Sequence, residues 1–271
     1  MQSTHQMSAA RNMHSLLQKS KEALPWGLAA LVSTLLTVLA LLPAAWFLPL
    51  VAQATAGRVS LAVPAGSLWH GSAVLMLAAG PKASTPTALA GRIEWRTAFW
   101  PLFSGKVKIT MLANEASPAP VQLSITPRGA MLSSGRLEVP ASLLTGLGAP
   151  FNTFNLQGGV QLQWNDWRFL ENKLFGQLTL NLTDMSSRVS RVKPLGSYRV
   201  VIQALGRDAT LALTTTQGPL LLDGAGQWAR QKFSFRGTAQ AEETERENLR
   251  TLLSLLGNRM ERDVYALVLE L

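Results

Sequence analysis

The sequence has 271 residues, no cysteine, three histidines and a formal net charge of +9 at neutral pH. The missing cysteine excludes disulfides, thiolate metal sites and thiol nucleophiles, and is compatible with an oxidising compartment such as a bacterial periplasm. Residues 58–241 carry 18 basic and 8 acidic residues, but the basic residues are scattered singly, which disfavours nucleic acid and favours anionic lipid headgroups or acidic protein partners.

The first predicted element is a transmembrane helix. No charge occurs from Ala23 to Gly57. Within this stretch, Trp26 to Leu48 would form about 34 Å of helix at about 1.5 Å per residue, enough to cross a bilayer core of about 30 Å. Aromatic residues suited to the membrane interface mark both ends of the stretch: Trp26, Trp46 and Phe47. We expect a cytoplasmic tail over 1–23, an anchor over 24–50 and a periplasmic domain over 57–271.

The orientation of this anchor follows from the charges before it. Arg11, Lys19 and Lys21 outweigh Glu22, and cationic flanks stay on the cytoplasmic side, so the anchor would sit in a bacterial inner membrane. The alternative is a cleaved signal peptide, because Ala52–Ala54 is a small-x-small site that signal peptidase accepts. A signal peptide has a shorter apolar run, about 7 to 15 residues, which favours the anchor.

From about residue 57 onward the apolar residues recur with a period of two. Val107, Ile109 and Met111 would share one face of a strand, with Lys106 and Lys108 on the other. The same alternation recurs in four further segments: 121–125, 158–164, 176–183 and 198–204. This pattern is typical of antiparallel strands with one solvated face, and we predict a mainly β fold: a curved meander sheet of roughly twelve short strands.

Glycine opens several of these segments. The repeated pattern is glycine followed by alternating polar and apolar residues: GSLWHG (66–71), GRIEW (91–95), GRLEV (135–139), GGVQLQW (158–164) and GQLTLNL (176–182). We interpret the glycines as meander punctuation, because glycine adopts turn conformations that other residues resist.

Two segments have helical periodicity. Pro140 to Leu147 is short and ends before Gly148. The clearer segment begins near Glu242 and ends at Gly257, and its leucines form one stripe: Leu249, Leu252, Leu253 and Leu256. We expect this C-terminal helix to dock on its own sheet, and a last strand to run over 264–271.

Groups able to perform catalysis are few. His70 is the one histidine outside the N-terminal tail, and it lacks the spacing of a metal site. A carboxylate pair could serve a hydrolase, and the candidates are Asp166, Glu171, Asp184, Asp208 and Asp223. Of these, Asp166, between Trp164 and Trp167, most resembles an active-site residue. We nevertheless interpret Asn165-Asp166 as a turn before the next strand. We predict no enzyme activity, catalytic residue, cofactor or metal.

Tryptophan is frequent, with eight residues. Trp95 and Trp100 precede Pro101, and we expect both to be buried in the core. Exposed, they would instead mark a surface for a partner or a membrane.

Several segments together resemble the type II secretion system protein N family. They are the N-terminal anchor, LWHG (68–71), EWRTAFWPLFSGKVKI (94–109), PLGSYRV (194–200), GPLLLDGAGQW (218–228), FSFRGTAQA (233–241) and LRTLLSLLG (249–257). The resemblance covers the chain from the anchor to its end. One departure is Asp263-Val264, where a glycine is expected after the aspartate in the turn before the last strand.

The resemblance implies an inner-membrane accessory subunit of the apparatus that moves folded periplasmic proteins across the outer membrane. It implies contacts with other subunits in the inner membrane and periplasm, and it carries over no catalytic residue. The glycine pattern is also similar to AsmA-like envelope proteins, whose anchored β-grooves are associated with lipid. A continuous exposed apolar trough would favour that alternative, and a filled or helix-covered face would favour a scaffold.

Overall fold

The computed structural model describes residues 29–34, 37–57, 59–78, 87–89, 91–112, 114, 117–142, 154–260 and 263–270. The chain divides into two compact units, residues 1–43 and 44–271. The second unit holds the whole β-sheet.

In the first unit, residues 29–34 and 37–40 are helical. The hydroxyl of Thr34 donates to the carbonyl of Ala30 at 2.8 Å, and Thr37 repeats this bond to Ser33. Over the part of the chain that the structure describes, no helix is both long and apolar enough to cross a membrane. The predicted cytoplasmic tail and residues 24–28 and 35–36 of the predicted anchor lie outside the described residues.

Beyond Pro43 the structure differs from the predicted single helix to Leu48. The chain forms a 3-10 turn, Ala44–Trp46, and a short helix, α1 (Leu48–Ala54), both within the second unit. Ala44 is buried, and the Phe47 ring meets the Trp95 ring edge to face with centroids 5.5 Å apart. Because Phe47 packs in the domain core, it does not have the membrane-interface position expected from the sequence.

The described residues form one antiparallel sheet of sixteen strands, more than the twelve expected. The strands are β1 (Val59–Gly66), β2 (His70–Leu77), β3 (Thr87–Ala88), β4 (Ile93–Ala98), β5 (Val107–Met111), β6 (Val121–Thr126), β7 (Gly129–Leu132), β8 (Gly135–Pro140), β9 (Gln157–Leu170), β10 (Lys173–Ser186), β11 (Gly196–Gly206), β12 (Asp208–Gln217), β13 (Leu220–Ala229), β14 (Lys232–Ala241), β15 (Asn258–Arg259) and β16 (Tyr265–Glu270). Neighbours in the sheet are mostly neighbours in sequence, as in a meander.

Two short strands share one long partner. β7 pairs with the end of β9 and β8 pairs with its first half, so β7 and β8 follow each other along the same side of β9. Where the two meet, β9 carries an extra residue relative to β10, around Asp166. The 14-residue strands β9 and β10 therefore connect the N-terminal and C-terminal halves of the sheet.

Several glycines lie beneath aromatic rings rather than in turns. Gly71 faces Trp95 and Gly135 faces Trp164 on the neighbouring strand, and a Cβ on either glycine would lie 2.5 Å or less from the indole. Gly176 lies in the same way under Trp167. The turn interpretation holds at Gly66 and Gly91, which have left-handed φ angles of 81°. The recurring glycine pattern thus has two causes, turns and the space that a tryptophan needs.

The C-terminal helix is confirmed as α2 (Arg246–Leu256), preceded by a 3-10 turn, Glu243–Glu245. Its buried leucines pack against the apolar face of strands β11, β13, β14 and β16, in a core that includes Tyr198, Leu220, Ala239 and Tyr265. The predicted docking on the chain's own sheet is correct. The predicted helix Pro140 to Leu147 is replaced at its start by the end of β8, and residues 143–147 lie outside the described residues.

The turn before β16 needs no glycine. Asp263 itself adopts a left-handed φ of 63°, a conformation that aspartate tolerates better than most residues. Its carboxylate accepts a hydrogen bond from Arg259 and lies 3.9 Å from the Nε atom of Arg246. The glycine expected after Asp263 is therefore not needed, and two arginines stabilise the aspartate in this turn.

Candidate functional site

Asp166, the strongest catalytic candidate in the sequence, performs a structural task. Its Oδ1 atom accepts hydrogen bonds at 3.0 Å from both the backbone N–H and the hydroxyl of Ser134. The indole of Trp164 donates to the carbonyl of Ser133 at 2.8 Å. Together these bonds hold the passage from β7 to β8 against β9. The carboxylate thus belongs to a strand junction. The predicted turn at this position is wrong, because Asp166 lies within β9.

The remaining candidates do not converge. Glu171 and Asp208 lie at β-turns, Asp184 lies near the other end of β10, and Asp223 lies within β13. His70 is exposed at the start of β2, opposite Arg96 on β4. Among the described residues, no group of three or more histidine, aspartate or glutamate side chains could hold a metal ion.

The apolar face of the sheet is a second candidate binding surface. Cross-strand partners place Leu180, Val200 and Leu213 in one row across β10, β11 and β12. Helix α2 covers one end of this face, where Leu249, Leu252 and Leu253 are fully buried. Burying each leucine side chain is worth about 1.5–3 kcal/mol, so the helix is a stable part of the fold.

Tyr198 lies in the covered part of this face. It is 5 % exposed, and its hydroxyl donates to the carbonyl of Leu220 at 3.1 Å. Burial raises the pKa of the Tyr198 phenol well above its ordinary value, because the charged phenolate would lose its hydration. A neutral, hydrogen-bonded phenol fixes β11 to the start of β13 and has no titration near neutral pH.

Beyond the helix, aromatic rings fill the apolar face. Gly224 and Gly226 leave space on β13, and a Cβ on Gly224 would lie 2.5 Å from the Phe235 ring. A Cβ on Gly226 would lie 3.2 Å from the Phe233 ring. Large apolar side chains on this part are half-buried: Leu178, Ile202, Leu211 and Phe235. The face is therefore covered by a helix at one end and occupied by its own aromatic rings beside it.

The opposite face has a shallow cavity of about 590 Å³, whose lining mixes polar side chains with Val201, Ala212 and Ala225. Gln203, Thr210, Gln227 and Ser234 contribute to its lining, and Arg236 is its one charged residue. Amides, hydroxyls and a single guanidinium can bind a polar partner, but they supply no general base and no nucleophile activated by one. The lining of this cavity is therefore suited to binding a partner.

The two tryptophans considered in the sequence have opposite environments. Trp95 is 5 % exposed and belongs to a small core with Ala44 and Ala73, as expected. The expected burial of Trp100 is wrong, because this side chain is 81 % exposed. It begins a 3-10 turn, Trp100–Ser104, that projects from the sheet between β4 and β5. The signal available in the sequence was the run FWPLF (99–103), five apolar residues at a connection between strands.

Comparison with known proteins gives one family. A family model described as type II secretion system (T2SS), protein N, matches residues 57–268. This range extends from the start of the sheet into its last strand, β16. No curated protein and no solved structure matches the chain.

Proposed function

Because the chain belongs to the type II secretion system protein N family, we propose that it serves type II secretion as a non-catalytic accessory subunit of the inner membrane. The observation that carries this proposal is the match over 57–268, which includes almost the entire sheet. A role in type II secretion follows from the family. The accessory, non-catalytic character is supported by Asp166, the best catalytic candidate, being engaged by Ser134.

The proposed topology is a cytoplasmic N-terminus, one anchor and a periplasmic β-domain. Ala44 and Phe47 belong to a small core of the β-domain, so the segment left for an anchor is Ala23–Leu42. Its twenty uncharged residues would extend about 30 Å as a helix, close to the thickness of a bilayer core. The cationic residues before it support the inward orientation of the N-terminus.

As a scaffold, the domain would bind other secretion subunits of the inner membrane and periplasm through its surfaces. The helix-covered apolar face favours a scaffold over the AsmA-like lipid groove, because a groove needs a continuous exposed apolar trough. The half-buried row beyond α2 keeps lipid binding as the alternative.

The secretion role is tested by deleting the gene and measuring the export of a type II substrate. We expect the substrate to accumulate in the periplasm and the full-length gene to restore export. Photo-crosslinkers at the exposed residues Gln203 and Arg250, one on the polar face and one on α2, should capture secretion subunits. Normal export in the deletion strain, together with phospholipid as the sole crosslinked species, would contradict the proposal and favour the groove.

The anchor is tested separately by the mass of the mature protein. An intact chain that remains in the membrane after alkaline extraction is expected. A mature protein lacking residues 1–54 would show cleavage after Ala54, and a fixed inner-membrane subunit would then be untenable.

A further inference from the structure

Four aromatic side chains form a connected group at one end of the sheet, the aromatic cluster: Trp69, Phe99, Trp100 and Phe103. The Phe99 ring lies 5.2 Å from Trp69 and 5.3 Å from Phe103, measured between centroids. Trp100 and Phe103 are 6.0 Å apart. Trp100 is 81 % exposed and Phe103 is 75 % exposed. Large contiguous apolar surfaces on a folded domain mark sites of interaction.

The 3-10 turn that carries Trp100 and Phe103 is fixed at both of its ends. Pro101 stands in the first turn of the 3-10 helix, and Gly105 ends it with a left-handed φ of 68°. The hydroxyl of Ser104 donates to the carbonyl of Pro101 at 2.8 Å. A turn of five residues fixed at both ends projects its rings away from the sheet, so their exposure is built into the connection.

The residues around the cluster are basic. Arg96, Lys106 and Lys108 are exposed, and residues 95–114 contain no acidic residue. The salt bridges of the described residues lie in the C-terminal segment and involve none of these three cations. Exposed rings beside unpaired cations are complementary to a surface with an apolar interior and anionic headgroups.

The chain also enters the domain beside this cluster. Ala44, the first residue of the domain, is buried together with Trp95. The Trp95 indole donates to the carbonyl of Leu68 at 3.2 Å, and the Thr97 hydroxyl donates to the same oxygen at 2.8 Å. Leu68 directly precedes Trp69 of the cluster. Ala44 therefore lies at the end of the domain that carries the exposed rings.

We propose that the aromatic cluster, with Arg96, Lys106 and Lys108, docks the β-domain on the surface of an anionic lipid bilayer. Trp100 and Phe103 insert at the level of the headgroups, where indole and phenyl rings are favoured, and the cations bind lipid phosphates. This contact would restrict the orientation of the sheet relative to the membrane. The proposal rests on the membrane location proposed above, but it requires neither the anchor itself nor the role in secretion.

The absence of cysteine makes a direct test possible, because one introduced cysteine can be labelled without background. The full chain is reconstituted in vesicles of phosphatidylcholine with or without phosphatidylglycerol. A fluorophore is placed in the variants Ser33→Cys, Ser104→Cys and Ser254→Cys. Quenching is measured with lipids that carry a nitroxide high on the acyl chain for positions 104 and 254, and near the end of the chain for position 33. Ser254 is a matched control, because it is exposed and its hydroxyl donates to the carbonyl three residues before it, as does that of Ser104.

Strong quenching at position 104, weak quenching at 254 and dependence on phosphatidylglycerol are the expected result. The variants Trp100→Ala and Phe103→Ala should abolish quenching at 104, and their exposed positions make unfolding an implausible cause. Replacing Lys106 or Lys108 by glutamine should lower the ratio of docked to undocked domain about fivefold for each cation.

Position 33 separates the two proposals. Quenching at 33 with none at 104 would overturn the docking and leave the anchor intact. Quenching at 104 with none at 33 would support docking and contradict the anchor. If position 104 stays unquenched while Trp100→Ala impairs secretion, the cluster binds a protein, and the lipid proposal is wrong.

Discussion

The glycine beneath Trp164 offers the sharpest test of how the sheet is packed. Gly135→Ala would place a Cβ 2.4 Å from the Cζ2 atom of Trp164 and 2.8 Å from the Cγ2 atom of Val121. The indole cannot move freely, because its Nε1 atom donates to the carbonyl of Ser133 at 2.8 Å. The substitution must therefore shift β8 away from β9 or break this hydrogen bond.

The expected cost follows from opposing effects. Overpacking a well-filled site costs about 1–3 kcal/mol, and losing the indole hydrogen bond costs about 0.5–1.5 kcal/mol more. Alanine recovers about 0.4–1 kcal/mol by restricting the unfolded chain. We expect Gly135→Ala to lower the free energy of unfolding by about 0.5–4 kcal/mol overall.

The matched control lies on the partner strand. A Cβ on Gly159 would meet only the Thr183 hydroxyl oxygen, at 3.9 Å, so Gly159→Ala should be neutral or stabilising by about 0.4–1 kcal/mol. Both variants are measured in the full chain in detergent by denaturant titration, followed by circular dichroism. In the background of Trp164→Leu the cost of Gly135→Ala should shrink, since the ring is gone. Equal stabilities of Gly135→Ala and Gly159→Ala would refute the explanation that glycine is required by the ring above it.

Three further predictions concern the core and the aromatic cluster. Leu253→Ala, at a buried position, should lower the free energy of unfolding by about 2–5 kcal/mol. Leu255→Ala on the same helix should change it little, because Leu255 is 58 % exposed. Equal losses of stability in the two variants would show that α2 does not dock as described. Trp95→Ala should lower the free energy of unfolding by about 3–5 kcal/mol, and Trp100→Ala should lower it by less than about 0.5 kcal/mol. The same titrations measure both variants, and a large loss for Trp100→Ala would show that Trp100 is a core residue. Because the pKa of Tyr198 is raised in the folded state from an ordinary 10.0, the unfolded chain loses this proton first, so stability should fall as pH rises above about 10. Tyr198→Phe should remove that part of the fall, and an unchanged pH dependence in the variant would contradict the assignment.

The sequence by itself determined the elements with regular periodicity. Strands such as Val107–Met111 alternate apolar and polar side chains because one face is solvated, and this alternation is local information. The leucine stripe of α2 predicted both the helix and its docking, because a stripe of apolar side chains on a helix must be buried somewhere. The segments resembling the protein N family were also sufficient to predict the family that the comparison then showed.

Only the tertiary structure decided what depends on the partner strand. Gly71 and Gly135 read as turn residues until Trp95 and Trp164 are seen above them, because the clash involves residues 24 and 29 positions away in sequence. Trp95 and Trp100 lie five residues apart, and the run FWPLF (99–103) places Trp100 at a connection without deciding whether its ring is buried. That difference arises because Ala44 and Phe47 cover Trp95 from a distant segment, while Trp100 lies in the exposed 3-10 turn that joins β4 to β5.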